Sequence, residues 1–314
     1  MAWNDERVSA RGTSGLVVGV DLGGTKIEAV LAVRGSKGEI EVLERTRVPT
    51  GSDEGYEGVL KRAEGLIRSL APGEEIATIP IGMGMPGGTM RRSRLVKNCN
   101  LVCLNGRPFR ADLAQALGRE LAFENDANCF ALAETVLGAA AQHREGIVFG
   151  VILGTGVGGG VVVHGEIWSG GQGIAGEWGH HAIRSDGGLA CYCGNTGCLE
   201  LHASGPGVER DYHERSGQHL SLAEIAAKRS TDAHADAAIR GLIEAYARGV
   251  ANLIDILDPS AIVLGGGVSN LDVLYDEGAR RVAELVFNDE LTTPILRNVL
   301  GDSAGVLGAA LIAR

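Results

Sequence analysis

The chain has 314 residues, enough for two domains of ordinary size. With 45% hydrophobic and 22% charged residues it has the composition of a globular protein, and its formal net charge of -10 opposes binding to a nucleic-acid backbone. No apolar run approaches the roughly 20 residues that span a bilayer, so no membrane-spanning helix is predicted.

Met1–Gly15 is polar and mixed in charge, without the apolar core of a signal peptide, and reads as a frayed tail on a cytoplasmic protein. Residues 17–31, VVGVDLGGTKIEAVL, are an apolar β-branched run, a Gly-Thr turn and a second apolar run. That pattern predicts a strand, a glycine loop and a strand. Glu54–Leu70 carries apolar residues at helical spacing and stops at Ala71-Pro72-Gly73. Pro108–Arg119 predicts a helix with Gly118 near its end, and Ala127–Ala140 predicts an apolar helix after Asn125-Asp126. Residues 148–163, VFGVILGTGVGGGVVV, repeat the pattern of 17–31, which implies two copies of one domain plan. Ser221–Lys228 and Asp232–Leu257 are predicted helices, the second stopped by Asp258-Pro259. Ala261–Leu264 is a predicted buried strand running into Gly265-Gly266-Gly267, and Leu271–Val286 and Ser303–Ala313 read as helices. Strands alternating with helices make the chain α/β. The boundary is placed near residue 125, giving a small N-terminal domain over 1–125 and a large domain over 126–302.

Three glycine loops carry candidate chemistry. In Asp21-Leu-Gly-Gly-Thr-Lys26, the bare Gly23 and Gly24 let a phosphate approach backbone N–H groups, and Thr25 adds a hydroxyl donor. Asp21, at the strand end, is placed to hold magnesium directly or through water. The same hexapeptide also reads as an ordinary hairpin turn. Gly154-Thr155-Gly156-Val157-Gly158-Gly159-Gly160 has five glycines in seven positions, more than a plain hairpin needs. It leads into a strand and not a helix, which argues against a dinucleotide fold, and it lacks the GxxxxGK[ST] pattern. Two such loops on duplicated domains suit a nucleotide clasped from both sides. Gly265–Gly267 reads either as a bare surface for adenine and ribose or as a strand-to-helix turn capped by Ser269-Asn270.

Glu124-Asn125-Asp126-Ala127-Asn128 opens a helix. Asp126 reads as its N-cap, the commoner use of such a residue, or as a general base for a hydroxyl attacking phosphorus. In the second reading Asn125 orients the hydroxyl-bearing substrate. Of the six cysteines, Cys191, Cys193 and Cys198 lie close together, and a histidine upstream, His180 or His181, completes a three-sulfur, one-nitrogen set for tetrahedral zinc. Four protein ligands leave no open position, so that zinc is structural. A disulfide or inert buried thiols are the other readings, and the absence of an export signal weighs against the disulfide. Cys99, Cys103 and Cys129 read as small buried apolar residues.

Together these pieces resemble the ROK family (repressor, open reading frame, kinase) of sugar kinases in the actin-like ATPase superfamily. The resemblance runs from about Val17 to the C-terminus through DLGGTK, GMPG at Gly84, LNG at Leu104, ENDAN, LGTGVGGG, GEWGHH at Gly176, CYCGNTGCLE at Cys191 and LGGGVSN at Leu264. It implies duplicated actin-like ATPase (ribonuclease H-like) domains with a cleft between them, and a C-terminal helix, 303–314, that rejoins the first domain. It implies an ATP-dependent hexose kinase that moves the γ-phosphate of ATP to a sugar hydroxyl, O6 for an aldohexose, with Asp126 as catalytic base. Sugar-binding positions match Asn105, Asn125, Asp126, Glu177, His180 and Glu200. Nucleotide-binding positions match Gly23, Gly24, Thr25, Gly154, Thr155, Gly156 and Gly266, with Asp21, Lys26 and Gly265 in the same motifs. The family's zinc position selects His180 over His181, beside Cys191, Cys193 and Cys198, and the zinc would brace the loop carrying Glu177 and Glu200. ATP, Mg2+ and structural Zn2+ are therefore expected, with a homodimer as the assembly and neither nucleic acid nor membrane as partner. Leu104–Phe109 (LNGRPF), ENDANCFA and SNLDVLY are most similar to bacterial fructokinases of the manno-fructokinase type, with N-acetylglucosamine kinase or glucokinase as the alternative. The loop from His180 to Cys191 is shorter here than in those fructokinases. A sugar-responsive regulator without catalysis is the more distant reading, because only about fifteen residues precede the first strand, too few for a helix-turn-helix module.

Overall fold

The structure, a computed structural model, describes residues 15–71, 76–90, 92–184 and 188–314. The N-terminal tail up to residue 14, the Pro72-Gly73 stop signal and residues 185–187 of the loop before Cys191 lie outside the described residues.

In chain order the first elements are β1 (Leu16–Leu22), β2 (Lys26–Arg34), β3 (Ile40–Pro49), α1 (Gly55–Leu70), β4 (Ile81–Met85), β5 (Gly88–Thr89) and β6 (Val96–Lys97). They are followed by α2 (Phe109–Leu117), β7 (Ala122–Asn125) and α3 (Asp126–Val136). Next come β8 (Ile147–Leu153), β9 (Val157–Val163), β10 (Glu166–Ile167), α4 (Glu200–Ala203), α5 (Gly205–Ser216), α6 (Leu222–Lys228) and α7 (Ala233–Leu257). The chain ends through β11 (Ala261–Gly265), α8 (Glu277–Ala283), β12 (Ile295–Arg297) and α9 (Ala304–Ile312).

The chain divides into two compact units, residues 1–137 with 302–314, and residues 138–301. Each unit holds a mixed five-stranded sheet, ordered β3-β2-β1-β4-β7 in the first and β10-β9-β8-β11-β12 in the second. In both, two antiparallel hairpin pairs lead to the central strand and two parallel strands follow it. The order is therefore 3-2-1-4-5 twice, which gives the sequence repeat its structural meaning. The fold is the duplicated α/β plan of actin-like ATPases.

In the first unit, Val18, Val20, Leu22, Ile81 and Met83 are buried against the stripe Val59, Ala63, Leu66, Ile67 and Leu70 of α1. That i, i+4, i+7 spacing is why α1 is a helix with one apolar face. On β1 and β4, Gly19 and Gly82 lie under α9, where a Cβ would collide with the Val306 and Ala309 carbonyls. On the same helix Gly308 lies against the Cys129 carbonyl of α3. Glycine is required there because α9 packs backbone to backbone on the sheet and on α3. The guanidinium of Arg34 donates to the Leu311 and Ala313 carbonyls, both at 2.8 Å, and so closes the C-terminal end of α9.

The boundary between the units falls at 137/138 and not near residue 125, because α3 packs with α9 and β4 in the first unit. Helix α3 itself ends at Val136, short of the expected Ala140. The expected helix 271–286 is a 3-10 turn followed by α8. In the second unit the amphipathic α7 is the largest helical contributor to the core. Its N-cap Asp232 accepts from His234 N–H at 2.8 Å and Ala235 N–H at 3.3 Å. Among the described residues no helix is long and apolar enough to cross a membrane.

Candidate functional site

In the first unit, β1 pairs with β4 so that Asp21 lies opposite Gly84, and Gly84 lies opposite Glu124 on β7. Parallel pairing thus brings Asp21 and the start of α3 to the same end of the sheet. Asn125 is the N-cap of α3: its Oδ1 accepts from Ala127 N–H at 2.9 Å, and its amide nitrogen donates to Gly87 O at 3.0 Å. Asp126 is therefore the first helical residue and not the cap, although its carboxylate also accepts from Ala127 N–H at 2.9 Å. Glu124 Oε1 holds this turn by accepting from Asn125 N–H at 2.8 Å and from the Asn128 amide at 2.9 Å.

Burial, with the neighbouring carboxylates of Asp126 and Glu28, pushes Asp21 up to about 7, while Lys26 works in the opposite direction. Glu28 is fully buried on β2 and receives Arg47 at 2.8 and 3.1 Å, with Arg45 at 3.4 Å and Lys26 at 3.9 Å. Lys26 also lies 3.6 Å from Asp302. A set of mutually repelling carboxylates at a strand end fits a divalent cation, whose charge would relieve that repulsion. Gly305, in the first turn of α9, makes room for Asp21, since a Cβ there would lie 2.6 Å from Asp21 Oδ2. Glu28 and Gly305 were missed in the sequence; the second sits about 280 residues from its partner, beyond any local pattern.

The hairpin tip after β1 closes by Gly23 N–H to Lys26 O at 3.0 Å. Buried Thr50 holds it twice, with its hydroxyl to Gly23 O at 2.7 Å and its N–H to Thr25 O at 2.9 Å. Gly24 and Thr25 keep backbone N–H groups without a partner among the described residues. Asn105 is exposed, yet both arms of its amide engage Cys99, accepting from its N–H and donating to its carbonyl at 2.9 Å each.

In the second unit, the tip after β8 closes by Gly154 N–H to Gly156 O at 2.9 Å. Gly205 N–H donates to Gly154 O at 2.9 Å, and Glu200 Oε2 accepts from Val157 N–H at 2.9 Å. Gly266, at φ 82°, passes so close to the Leu153 carbonyl that a Cβ would collide with it. The structure therefore gathers Gly154, Thr155, Gly156, Gly266 and Glu200, and it leaves Thr155 and Gly156 N–H groups unpaired among the described residues. Glu177, exposed at the head of the Trp178–His180 turn, accepts from His180 N–H at 3.3 Å through its carbonyl.

His180, Cys191, Cys193 and Cys198 present ligand atoms that all lie within 4.8 Å of one another. Sulfurs bound at about 2.3 Å around one tetrahedral zinc stand about 4 Å apart, so this donor set fits that ion. His180 Nδ1 lies 3.7 Å from Cys191 Sγ, and Cys193 Sγ lies 3.6 Å from Cys198 Sγ. His180 Nε2 points elsewhere, to the Tyr192 hydroxyl at 3.1 Å. His181 is turned away, with its ring stacked on Trp178 and its Nδ1 on the Trp178 carbonyl. All six cysteines are free of disulfides; Cys99 and Cys129 are buried and Cys103 is partly so. A separate cavity of about 540 Å³ in this unit holds none of the expected site residues. Of the four arginines that line it, Arg215, Arg240 and Arg248 are already paired with Asp211, Asp236 and Glu244; the fourth is Arg184.

Comparison with known proteins gives the chain's relatives. The model of the ROK family matches residues 17–314. The N-acetyl-D-glucosamine kinase of Pasteurella multocida is 38% identical over 307 residues, covering 94% of this chain and 98% of its own. That of Haemophilus influenzae is likewise 38% identical over 307 residues, with the same coverage of both chains. Among solved structures, the ROK hexokinase of Thermus thermophilus aligns at a TM-score of 0.80 with 34% identity over 95% of this chain and 97% of its own. The ROK family glucokinase of Streptomyces griseus, in complex with glucose and AMPPNP, aligns at 0.76 with 29% identity over 96% of this chain and 99% of its own. These relatives support the N-acetylglucosamine kinase alternative better than the fructokinase reading of the sequence. The chain belongs to the ROK family.

Proposed function

We propose that this chain is an N-acetyl-D-glucosamine kinase. In its coarser form the reading is an ATP-dependent sugar kinase of the ROK type. The observation that carries the sugar is the 38% identity, over 94% of the chain, with N-acetyl-D-glucosamine kinases.

Asp126 takes the proton from the attacking sugar hydroxyl, O6, as phosphorus is transferred. With Asn125 as the cap, the Asp126 carboxylate stands on the first turn of a helix whose Cys129 carbonyl lies against Gly308 of α9. Asp21 would hold Mg2+, which when bound supplies positive charge to the phosphates. The unpaired N–H groups of Gly24, Thr25, Thr155 and Gly156 donate to phosphate oxygens, with Lys26 adding a cation. Gly265 and Gly266 give the nucleoside a bare surface. Glu177, His180 and Glu200 contact the sugar, while Asn105 and Asn125 act by holding the 99–106 loop and the Gly87 turn. His180, Cys191, Cys193 and Cys198 would hold a structural zinc. The same reading places the protein in the cytoplasm as a homodimer, which light scattering tests.

The deciding experiment is coupled ADP release with ATP and magnesium across N-acetylglucosamine, glucose, mannose and fructose. The expected outcome is the highest kcat/KM with N-acetylglucosamine. A higher value with fructose or glucose replaces the sugar and keeps the kinase; no turnover with any of the four removes the kinase reading.

A further inference from the structure

The segment that carries the Cys/His cluster runs directly into Glu200, two residues after Cys198. It is seated on the outgoing strand of the 154–156 loop. Trp178 Nε1 donates to Gly158 O at 2.8 Å, and Gly176 and Gly179 come so close to β9 that a Cβ on either would collide with the Gly159 or Val157 carbonyl. Leu199, wholly buried, donates its N–H to His181 O at 3.0 Å and fills the space over Gly249, where a Cβ would lie 2.7 Å from its Cδ2. Glu200 is therefore delivered by a packed path and not by a free side chain.

Its carboxylate meets the loop from below. Glu200 Oε2 accepts from Val157 N–H at 2.9 Å, and Gly156 leaves space for that oxygen, since a Cβ there would lie 2.7 Å from it. Five residues on, Gly205 N–H holds Gly154 O at 2.9 Å. The stretch 200–205 thus grips the loop at both ends. Gly154 and Val157 have their N–H groups tied off, and those of Thr155 and Gly156 have no partner among the described residues.

We infer that Glu200 is a positioning residue for the nucleotide: by accepting from Val157 N–H it fixes the conformation in which the Thr155 and Gly156 N–H groups converge on a polyphosphate. This rests on the reading of 154–156 as a nucleotide loop, and it gives Glu200 a role separate from any contact with sugar. A glutamine at 200 keeps an oxygen acceptor at that point; an alanine leaves the N–H unpaired and the loop unbraced.

The test is calorimetric titration of AMPPNP with magnesium into the full-length wild type, Glu200→Gln and Glu200→Ala, with no sugar present. Wild type binds. Glu200→Ala weakens nucleotide binding by about tenfold, as loss of one hydrogen bond of about 1–1.5 kcal/mol implies. Glu200→Gln stays within about threefold of wild type. A sugar contact alone predicts no loss in either variant, because no sugar is present. Gly156→Ala, which pushes a methyl against the carboxylate, repeats the loss and serves as the readout if Glu200→Ala does not fold. Nucleotide affinity unchanged in Glu200→Ala or, where that variant does not fold, in Gly156→Ala overturns the inference while leaving the kinase reading intact. A wild type that binds no nucleotide overturns the loop assignment itself, and the inference with it.

Discussion

The hairpins β1–β2 and β8–β9 occupy the same place in two sheets of the same order, yet they are finished differently. In the first, the residue opposite the parallel neighbour's glycine is Asp21, facing Gly84; in the second it is Ile152, facing Gly265. The first loop is braced by an uncharged hydroxyl, Thr50, and the second by a carboxylate, Glu200. Acid therefore stands at the strand end in one unit and behind the loop in the other. A shared topology fixes where a loop can sit, and single positions decide what it does. In the first unit Asp21 lies within reach of the charges of Asp126 and Glu28, which suits the proposed cation. The second uses its acid to shape a cradle.

The widest separation between the units is expected from Asp126→Ala. Turnover should fall by about 10²–10⁴-fold while sugar binding is partly kept, because proton removal is lost and the other sugar-binding positions remain. Near-normal kcat would take the base out of the first unit.

Next is Gly266→Ala, which has no counterpart in the first hairpin. A methyl at φ 82° meets the Leu153 carbonyl, so thermal unfolding should report a loss of about 1–3 kcal/mol together with weaker nucleotide binding. Wild-type stability would mean that the β8 loop tolerates what its backbone contact forbids.

Asp21→Asn sharpens the comparison through pH. In the folded chain Asp21 is raised to about 7 from 3.8, so between these values the native state holds a proton that the unfolded chain releases. Stability from this group is thus present at low pH and is lost as pH rises from about 4 to 7. In metal-free buffer the variant's free energy of unfolding should gain on wild type across that window, by an amount on the order of 1–4 kcal/mol at the top, and level off above it. A pH-independent difference would remove the carboxylate repulsion from the account.

The smallest effect is expected from Thr50→Val. Loss of the hydroxyl on Gly23 O should cost about 1 kcal/mol, read as a shift of a few degrees in melting temperature. Finally, metal analysis of protein purified without chelator should find zinc bound in the second unit; its absence would return Cys191, Cys193 and Cys198 to ordinary thiols.

The hairpins, α1, α2, α6 and α7 were legible because glycine, β-branched runs and helical spacing are local signals. Helix α7 even shows its caps, Asp232 at the start and Asp258 at φ 43° at the end. Strand β3 was not legible: Glu41, Glu44, Arg45 and Arg47 make it read as a solvated segment, and it is an edge strand whose outer face stays in water. Helix α5 was hidden by its opening Gly205-Pro206-Gly207 and by burying only Val208 and Tyr212 among its large side chains. The unit boundary was misplaced because α3 belongs where α9 holds it, a pairing across some 170 residues that no window of sequence contains. At the site, the motifs named the loops, but their braces, Thr50 behind one and Gly305 beside Asp21, come from distant parts of the chain.

The bare glycines beneath α9 also set an order of events on the ribosome. Gly19 and Gly82 are translated early, but the helix that covers them emerges only after the whole of 138–301. The second unit can mature while the first, with its candidate base already made, still lacks a wall. Until its final turns are synthesised, the half that carries Asp21 and Asp126 must wait as an open sheet, and a nascent chain stalled before residue 304 would present that face to chaperones.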